Sequence, residues 1–116
     1  MEVSGPVKPE PEESRERLAG LARELARKPG VYLMKDAEGR VIYIGKAAVL
    51  RNRVSSYFQP SARLEAKTRQ MVEQVDTFEV IECEGEWEAL LMESRLIKDV
   101  RPKFNIRLLD DKTFPY

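Results

Sequence analysis

Histidine is absent from the 116 residues and cysteine occurs once, as Cys83. The two gaps exclude disulfides, zinc sites of the Cys/His kind and imidazole acid–base catalysis. Any chemistry falls to Tyr, Lys, Arg, Asp, Glu or Asn. Long apolar runs are also missing. None approaches the roughly 20 residues needed to span a bilayer, and Met1-Glu2-Val3-Ser4-Gly5-Pro6 lacks the basic start and apolar stretch of a secretion signal. A cytoplasmic chain without a membrane partner is expected, and its length suits one domain with a modest core.

Net charge is missing too, since 20 Lys and Arg balance 20 Asp and Glu. The zero sum hides an uneven arrangement. Residues 28–69 hold nine bases (28, 35, 40, 46, 51, 53, 63, 67, 69) against three acids (36, 38, 65). Residues 70–94 hold eight acids (73, 76, 79, 82, 84, 86, 88, 93) and no base. A basic surface can therefore face a polyanion while an acidic one faces solvent or another partner.

Residues 1–12 are rich in Pro and Glu with little to bury, and read as a disordered lead-in to a single domain over 13–116. From Glu13 to Arg27, Leu18, Leu21, Ala22 and Leu25 recur at helical spacing, and Pro29 closes that helix. Short helices are expected over Val49 to Phe58 and Ala62 to Val75. An alternating strand follows from Thr77 to Cys83, then a long helix from Glu86 to Val100 closed by Pro102. Residues 103–116 read as mostly extended or irregular. The fold class is α+β, a small, largely antiparallel three-stranded sheet with helices around it.

The most informative feature is Gly30-Val31-Tyr32 followed, eleven residues after Tyr32, by Tyr43-Ile44-Gly45-Lys46. Both segments have strand character, and Lys35-Asp36-Ala37-Glu38-Gly39-Arg40 between them is built to turn. A loop centred between Ala37 and Glu38 pairs Tyr32 with Tyr43 and Gly30 with Gly45, which sets two phenols side by side. Val31 against Ile44 and Leu33 against Ile42 then form the opposite, aliphatic face. Gly45 admits the close approach of another backbone.

On the long helix Glu93 falls between Leu90 and Ile97 on one side and Ala89 and Val100 on the other, apolar surroundings in which a lone carboxylate is costly. An internal salt bridge, a metal ligand and a carboxylate with altered pKa all fit that position. Arg53 lies one turn before Tyr57 and is placed to reach over the sheet edge, whereas Arg51 reads as a solvated or phosphate-contacting charge. Lys46 ends the second strand, where it either meets solvent or points at a phosphate. A single tyrosine is ordinary core filler. Clustered with Lys, Arg and Glu it suggests a site.

Gly30-Val31-Tyr32 and Tyr43-Ile44-Gly45 resemble the two halves of the GIY-YIG nuclease signature. The run from Tyr43 to Phe58 is similar to the UvrC branch of that family, which serves bacterial excision repair. So are Glu88-Ala89-Leu90-Leu91-Met92-Glu93, Leu96-Ile97-Lys98, Arg101-Pro102-Lys103-Phe104-Asn105 and Asp110-Asp111-Lys112-Thr113-Phe114-Pro115-Tyr116. The resemblance covers about residues 28–116. Val31 stands where the nominal signature has Ile, a swap between β-branched core residues.

The resemblance implies a metal-dependent endonuclease domain, a three-stranded antiparallel sheet with flanking helices that cuts one strand of damaged double-stranded DNA 3′ to the lesion. The matching active-site positions are Tyr32, Tyr43, Lys46, Arg53, Tyr57, Glu93 and Asn105, with Glu93 as ligand of a single divalent metal, Mg or Mn. In that reading Arg53 stabilises developing charge. Tyr43 is the general base, its pKa lowered by Lys46, Arg53 and the metal. Tyr32 and Tyr57 orient water or phosphate, and Asn105 fixes the site or contacts DNA. The resemblance also implies a fragment of a longer protein that binds UvrB through regions absent here, the isolated domain being monomeric. The alternative is a catalytically idle DNA- or protein-binding module of the same fold.

Overall fold

In the computed structural model, residues 11–59 and 63–106 are described. The closing motif at 110–116 and most of the lead-in lie outside them. The elements are α1 (Pro11–Arg23), β1 (Gly30–Lys35), β2 (Val41–Ala47), α2 (Leu50–Phe58), α3 (Ala66–Gln74), β3 (Thr77–Glu82) and α4 (Glu86–Val100). All strand pairs are antiparallel, in the order β2-β1-β3.

Asp36 makes the β1–β2 turn. Its Oδ1 accepts hydrogen bonds from the backbone N–H of Glu38 and Arg40, and its Oδ2 accepts from Arg40 Nε at 3.0 Å. The resulting register differs from the sequence expectation. Tyr32 faces Gly45 rather than Tyr43, Gly30 faces Ala47, and Met34 faces Tyr43. The shift is two residues, and because side chains alternate with period two it leaves both tyrosines on one face.

Between Met34 and Lys35 the pairing slips by one residue, leaving Ile42 extra on β2. Ile42 consequently packs in the cluster of Tyr32 and Met34, not beside Val31, Leu33 and Ile44 as expected. A one-residue bulge of this kind re-aims a side chain without breaking the strand.

Each sheet face carries its own cluster. On one, α1 and α2 deliver Leu18, Ala22, Leu50, Val54 and Phe58 onto Tyr32 and Met34, with Met71 and Phe104 completing it. On the other, α4 lays Ala89, Met92, Leu96 and Ile97 over Val31, Ile44 and Cys83. Burying each large apolar side chain contributes about 1.5–3 kcal/mol. Phe104 enters the core from a helical turn at 103–106, where irregular chain was expected.

The α1 helix stops at Arg23, six residues before Pro29, and Leu21 is 44% exposed while Ala19 is buried in its place. The segment that follows is tied to α2. Carbonyls of Lys28 and Ala26 accept from the N–H groups of Leu50 and Arg51, which begin a helix whose N-cap, Val49, has no capping side chain. Arg51 Nε also donates to the Leu25 carbonyl at 2.8 Å. Arg51 is thus a clamp on this linker rather than a free surface charge. At its other end α4 closes with Arg101 in the left-handed region (φ 54°), followed by buried Pro102.

Candidate active site

Gly45 shows how the site is built. A Cβ there would run into the Tyr32 hydroxyl and ring, so a side chain, not a backbone, occupies the space that the missing Cβ leaves. Tyr32 lies across β2 at 2% exposure, and its hydroxyl is 2.8 Å from that of Tyr57 on α2. The Tyr32 ring sits 6.3 Å from that of Tyr43 and 5.8 Å from that of Tyr57, tilted against both. Three phenols from two strands and a helix form one cluster.

The cluster opens into a cleft of about 690 Å³ lined by Tyr32, Tyr43, Lys46, Arg53, Tyr57 and Glu93. Six of the seven site residues named from the sequence therefore converge. The seventh, Asn105, lies at the outer edge of β2, where it bonds both backbone groups of Ile44. Sequence reasoning gave α3 no role, yet residues 64–68 and Met71 form part of the cleft wall. The available signal was the basic pair Lys67 and Arg69.

The cleft also corrects the expected setting of Glu93. Leu90 and Val100 are exposed, and Glu93 is a half-buried carboxylate at a polar opening rather than one enclosed by aliphatic groups. Partial burial pushes its carboxyl up from the ordinary range, and the Lys46 ammonium pulls the other way.

Burial is also the main cause of raising the Tyr32 phenol, with Tyr57 and Tyr43 adding to it. The Tyr43 phenol is raised as well, by burial first, then by Tyr57 and Glu93, and among its neighbours Arg53 opposes this. The expected lowering by Lys46 and Arg53 is thus not achieved by the protein's own groups: a half-buried phenol beside a carboxylate and a second phenol holds its proton more tightly.

Among the described residues no three His, Cys, Asp or Glu side chains come together as a metal cage. The cleft instead offers two carboxylates, the half-buried Glu93 with phenolic oxygen beside it and the exposed Glu65 on the α3 side. Such an oxygen-only, sparse donor set suits a hard divalent cation that keeps most of its water shell, and it does not suit a four-ligand zinc site.

The UvrC-like GIY-YIG domain model matches residues 28–106, which contain every element of this site. The chain belongs to that family. UvrABC system protein C of Dehalococcoides mccartyi is 54% identical to this UvrC-like domain over 101 residues, 87% of this chain and 17% of that protein. The protein of the same name from Symbiobacterium thermophilum is 55% identical over 94 residues, 81% of this chain and 15% of its own length. The chain thus spans less than a fifth of these relatives, at 17% and 15%.

Among solved structures, the GIY-YIG N-terminal endonuclease domain of UvrC from Thermotoga maritima, bound to magnesium as its catalytic divalent cation, aligns with a TM-score of 0.67 at 38% identity. The alignment covers 77% of this chain and 96% of that one. A point mutant of that domain gives a TM-score of 0.68. The expected fold, a three-stranded antiparallel sheet with flanking helices, is the observed one. No helix among the described residues is long and apolar enough to cross a membrane.

Proposed function

We propose that this UvrC-like domain is a metal-dependent endonuclease that makes the 3′ incision beside a lesion in nucleotide excision repair, hydrolysing one phosphodiester with a single divalent metal, Mg or Mn. The observation that carries this reading is the meeting of Tyr43, Arg53, Tyr57, Lys46 and Glu93 in one open cleft. Attack of water on the phosphorus breaks the bond to the 3′ oxygen, leaving a 5′-phosphate and a 3′-hydroxyl. Negative charge builds on the phosphoryl oxygens as this happens, so cations must be in place beforehand.

Arg53 and Lys46 meet that need from two sides of the cleft. Glu93 would hold a divalent cation, which would supply Lewis-acid polarisation and lower the pKa of nearby groups. Tyr43 would accept the proton of the attacking water at Oη as the phenolate, having first lost its own proton to solvent, a loss that a nearby cation would favour against the burial that raises its phenol. Tyr32 is too enclosed for this task. Its hydroxyl holds Tyr57 at 2.8 Å, and Tyr57 orients water or phosphate. Asn105 fixes the strand that carries Tyr43. Damaged double-stranded DNA is the substrate, and UvrB is engaged through segments outside this span.

The test is Glu93→Gln, assayed with damaged DNA and Mg²⁺ in the assembled repair complex. Loss of 3′ nicking on the order of a thousandfold is expected, the size of several kcal/mol of Lewis-acid stabilisation, with the circular dichroism melt unchanged. Undiminished nicking would reject the role of Glu93.

A further inference from the structure

Trp87 is the chain's one tryptophan and is 70% exposed, on the first turn of α4. An indole left this open forgoes a large burial gain unless something stacks on it. It lines a groove of about 250 Å³ with Lys46, Ala47, Ala48, Glu86 and Leu90, between the end of β2 and the start of α4. Lys46 also lines the Tyr43–Glu93 cleft, so groove and cleft adjoin at that side chain. Glu86, Leu90 and Glu93 follow one another at i, i+4 and i+7 on one stripe of the helix. Six residues of helix rise separate Trp87 from Glu93, about 9 Å. That is the span of about two or three stacked nucleotides of one strand, and fewer when unstacked.

We propose that this groove seats one unpaired nucleobase of the DNA strand next to the scissile phosphate, stacked on Trp87. The inference rests on the nuclease reading of the adjoining cleft. The charges fix the orientation of the nucleotide. Lys46 is the cation at the cleft end and takes the backbone phosphate. Glu86 at the far end repels phosphate and accepts a hydrogen bond from an exocyclic amine. A base carrying such an amine, cytosine, adenine or guanine, is therefore favoured over thymine, which has none. Stacking needs a free π-face, which paired DNA does not offer, so strand opening is read here directly.

Trp87 fluorescence tests this without cleavage. In EDTA, duplexes carrying an unpaired stretch of cytosine quench the emission, and the fully paired duplex of equal length quenches it far less. Anisotropy of the same labelled DNA shows Trp87→Leu binding the unpaired substrate about five- to hundredfold more weakly, the usual size of one base–aromatic stack. Trp87→Phe retains most of the affinity, which separates stacking from folding. Glu86→Gln removes the preference for cytosine over thymine.

Equal quenching by paired and unpaired DNA, no quenching at all, or wild-type affinity in Trp87→Leu would each overturn the proposal. So would protein-concentration-dependent burial of Trp87 without DNA, which assigns the patch to self-association. Quenching by the wild-type chain, with no 3′ nicking by that same chain in the assembled repair complex with Mg²⁺, would reject the nuclease reading and leave this subsite standing. Normal nicking without quenching would do the reverse.

Discussion

Asn105 grips Ile44 by both of its backbone groups: its Nδ2 donates to the Ile44 carbonyl at 2.9 Å, and its Oδ1 accepts from the Ile44 N–H at 2.8 Å. Ile44 sits between Tyr43 and Gly45, so one side chain sets the line of the strand that carries the proposed base.

Replacing Asn105 by Ala removes two hydrogen bonds worth about 1 kcal/mol each. A loss of about 1–3 kcal/mol in urea unfolding is expected, together with faster exchange of the Ile44 amide and reduced nicking. Asn105→Asp keeps the acceptor alone and should fall between the two. An Ile44 amide exchanging at the wild-type rate in Asn105→Ala would show that the grip does not hold the strand.

Gly45→Ala drives a methyl into the Tyr32 ring. Overpacking of this kind costs about 1–3 kcal/mol, and the ring has little room to move because its hydroxyl is bound to Tyr57. A lower melting temperature is expected, and activity should fall further than stability alone explains because Tyr57 moves with Tyr32. A melting temperature equal to that of the wild type would contradict the packing described.

Alkaline titration reads the phenol cluster. Tyr32 and Tyr43 are both raised above the ordinary value of 10. In the unfolded chain they ionise near 10, so above that pH the unfolded state holds fewer protons than the folded one. Stability is therefore complete below about pH 10 and is lost as the pH climbs beyond it. Tyr32→Phe should flatten this alkaline loss. Tyrosinate absorbance at pH 10 that drops by about half a tyrosine in Tyr32→Phe would show that Tyr32 ionises normally, with the ordinary value near 10.

Asp36 gives the opposite dependence on the acid side. Burial raises its carboxyl, but the Arg40 amide, the Arg40 guanidinium and the Glu38 amide outweigh that and leave it below the ordinary 3.8. Its contribution is present above pH 3.8 and fades as the pH falls through the folded value. Asp36→Ala should lower stability at neutral pH and reduce the acid-side slope. The same slope in both proteins would place the acid sensitivity elsewhere.

The face on which Tyr32 and Tyr43 meet could be read from the alternation of β1 and β2, because parity survives a two-residue slip. The partner of each residue could not. Asp36 gathers two amides and a guanidinium and centres the turn further along the chain than its midpoint suggested, with Lys35 opposite Val41, and the extra residue at Ile42 follows no local signal. Arg53, Tyr57 and Glu93 were legible because helical spacing fixes their faces once the helices are known. The setting of Glu93 was not, since whether a stripe of Leu90, Ile97 and Val100 is buried depends on what packs over it. Leu21 shows the same limit: its helical spacing fits the buried stripe of α1, yet it faces solvent. Asn105 and Phe104 depend on a long-range return of the chain to β2, which no nearby residue announces.

The outward row of β2 is an edge that a strand from another molecule could extend, which is a common route to aggregation. Asn105 already occupies the middle of that row with an amide shaped like a peptide group, and buried Pro102 and Phe104 hold it there. At the opposite edge, β3 exposes Glu79 and Glu82. Among the described residues, the sheet thus blunts one border with an amide and the other with charge, which disfavours edge-to-edge pairing of strands.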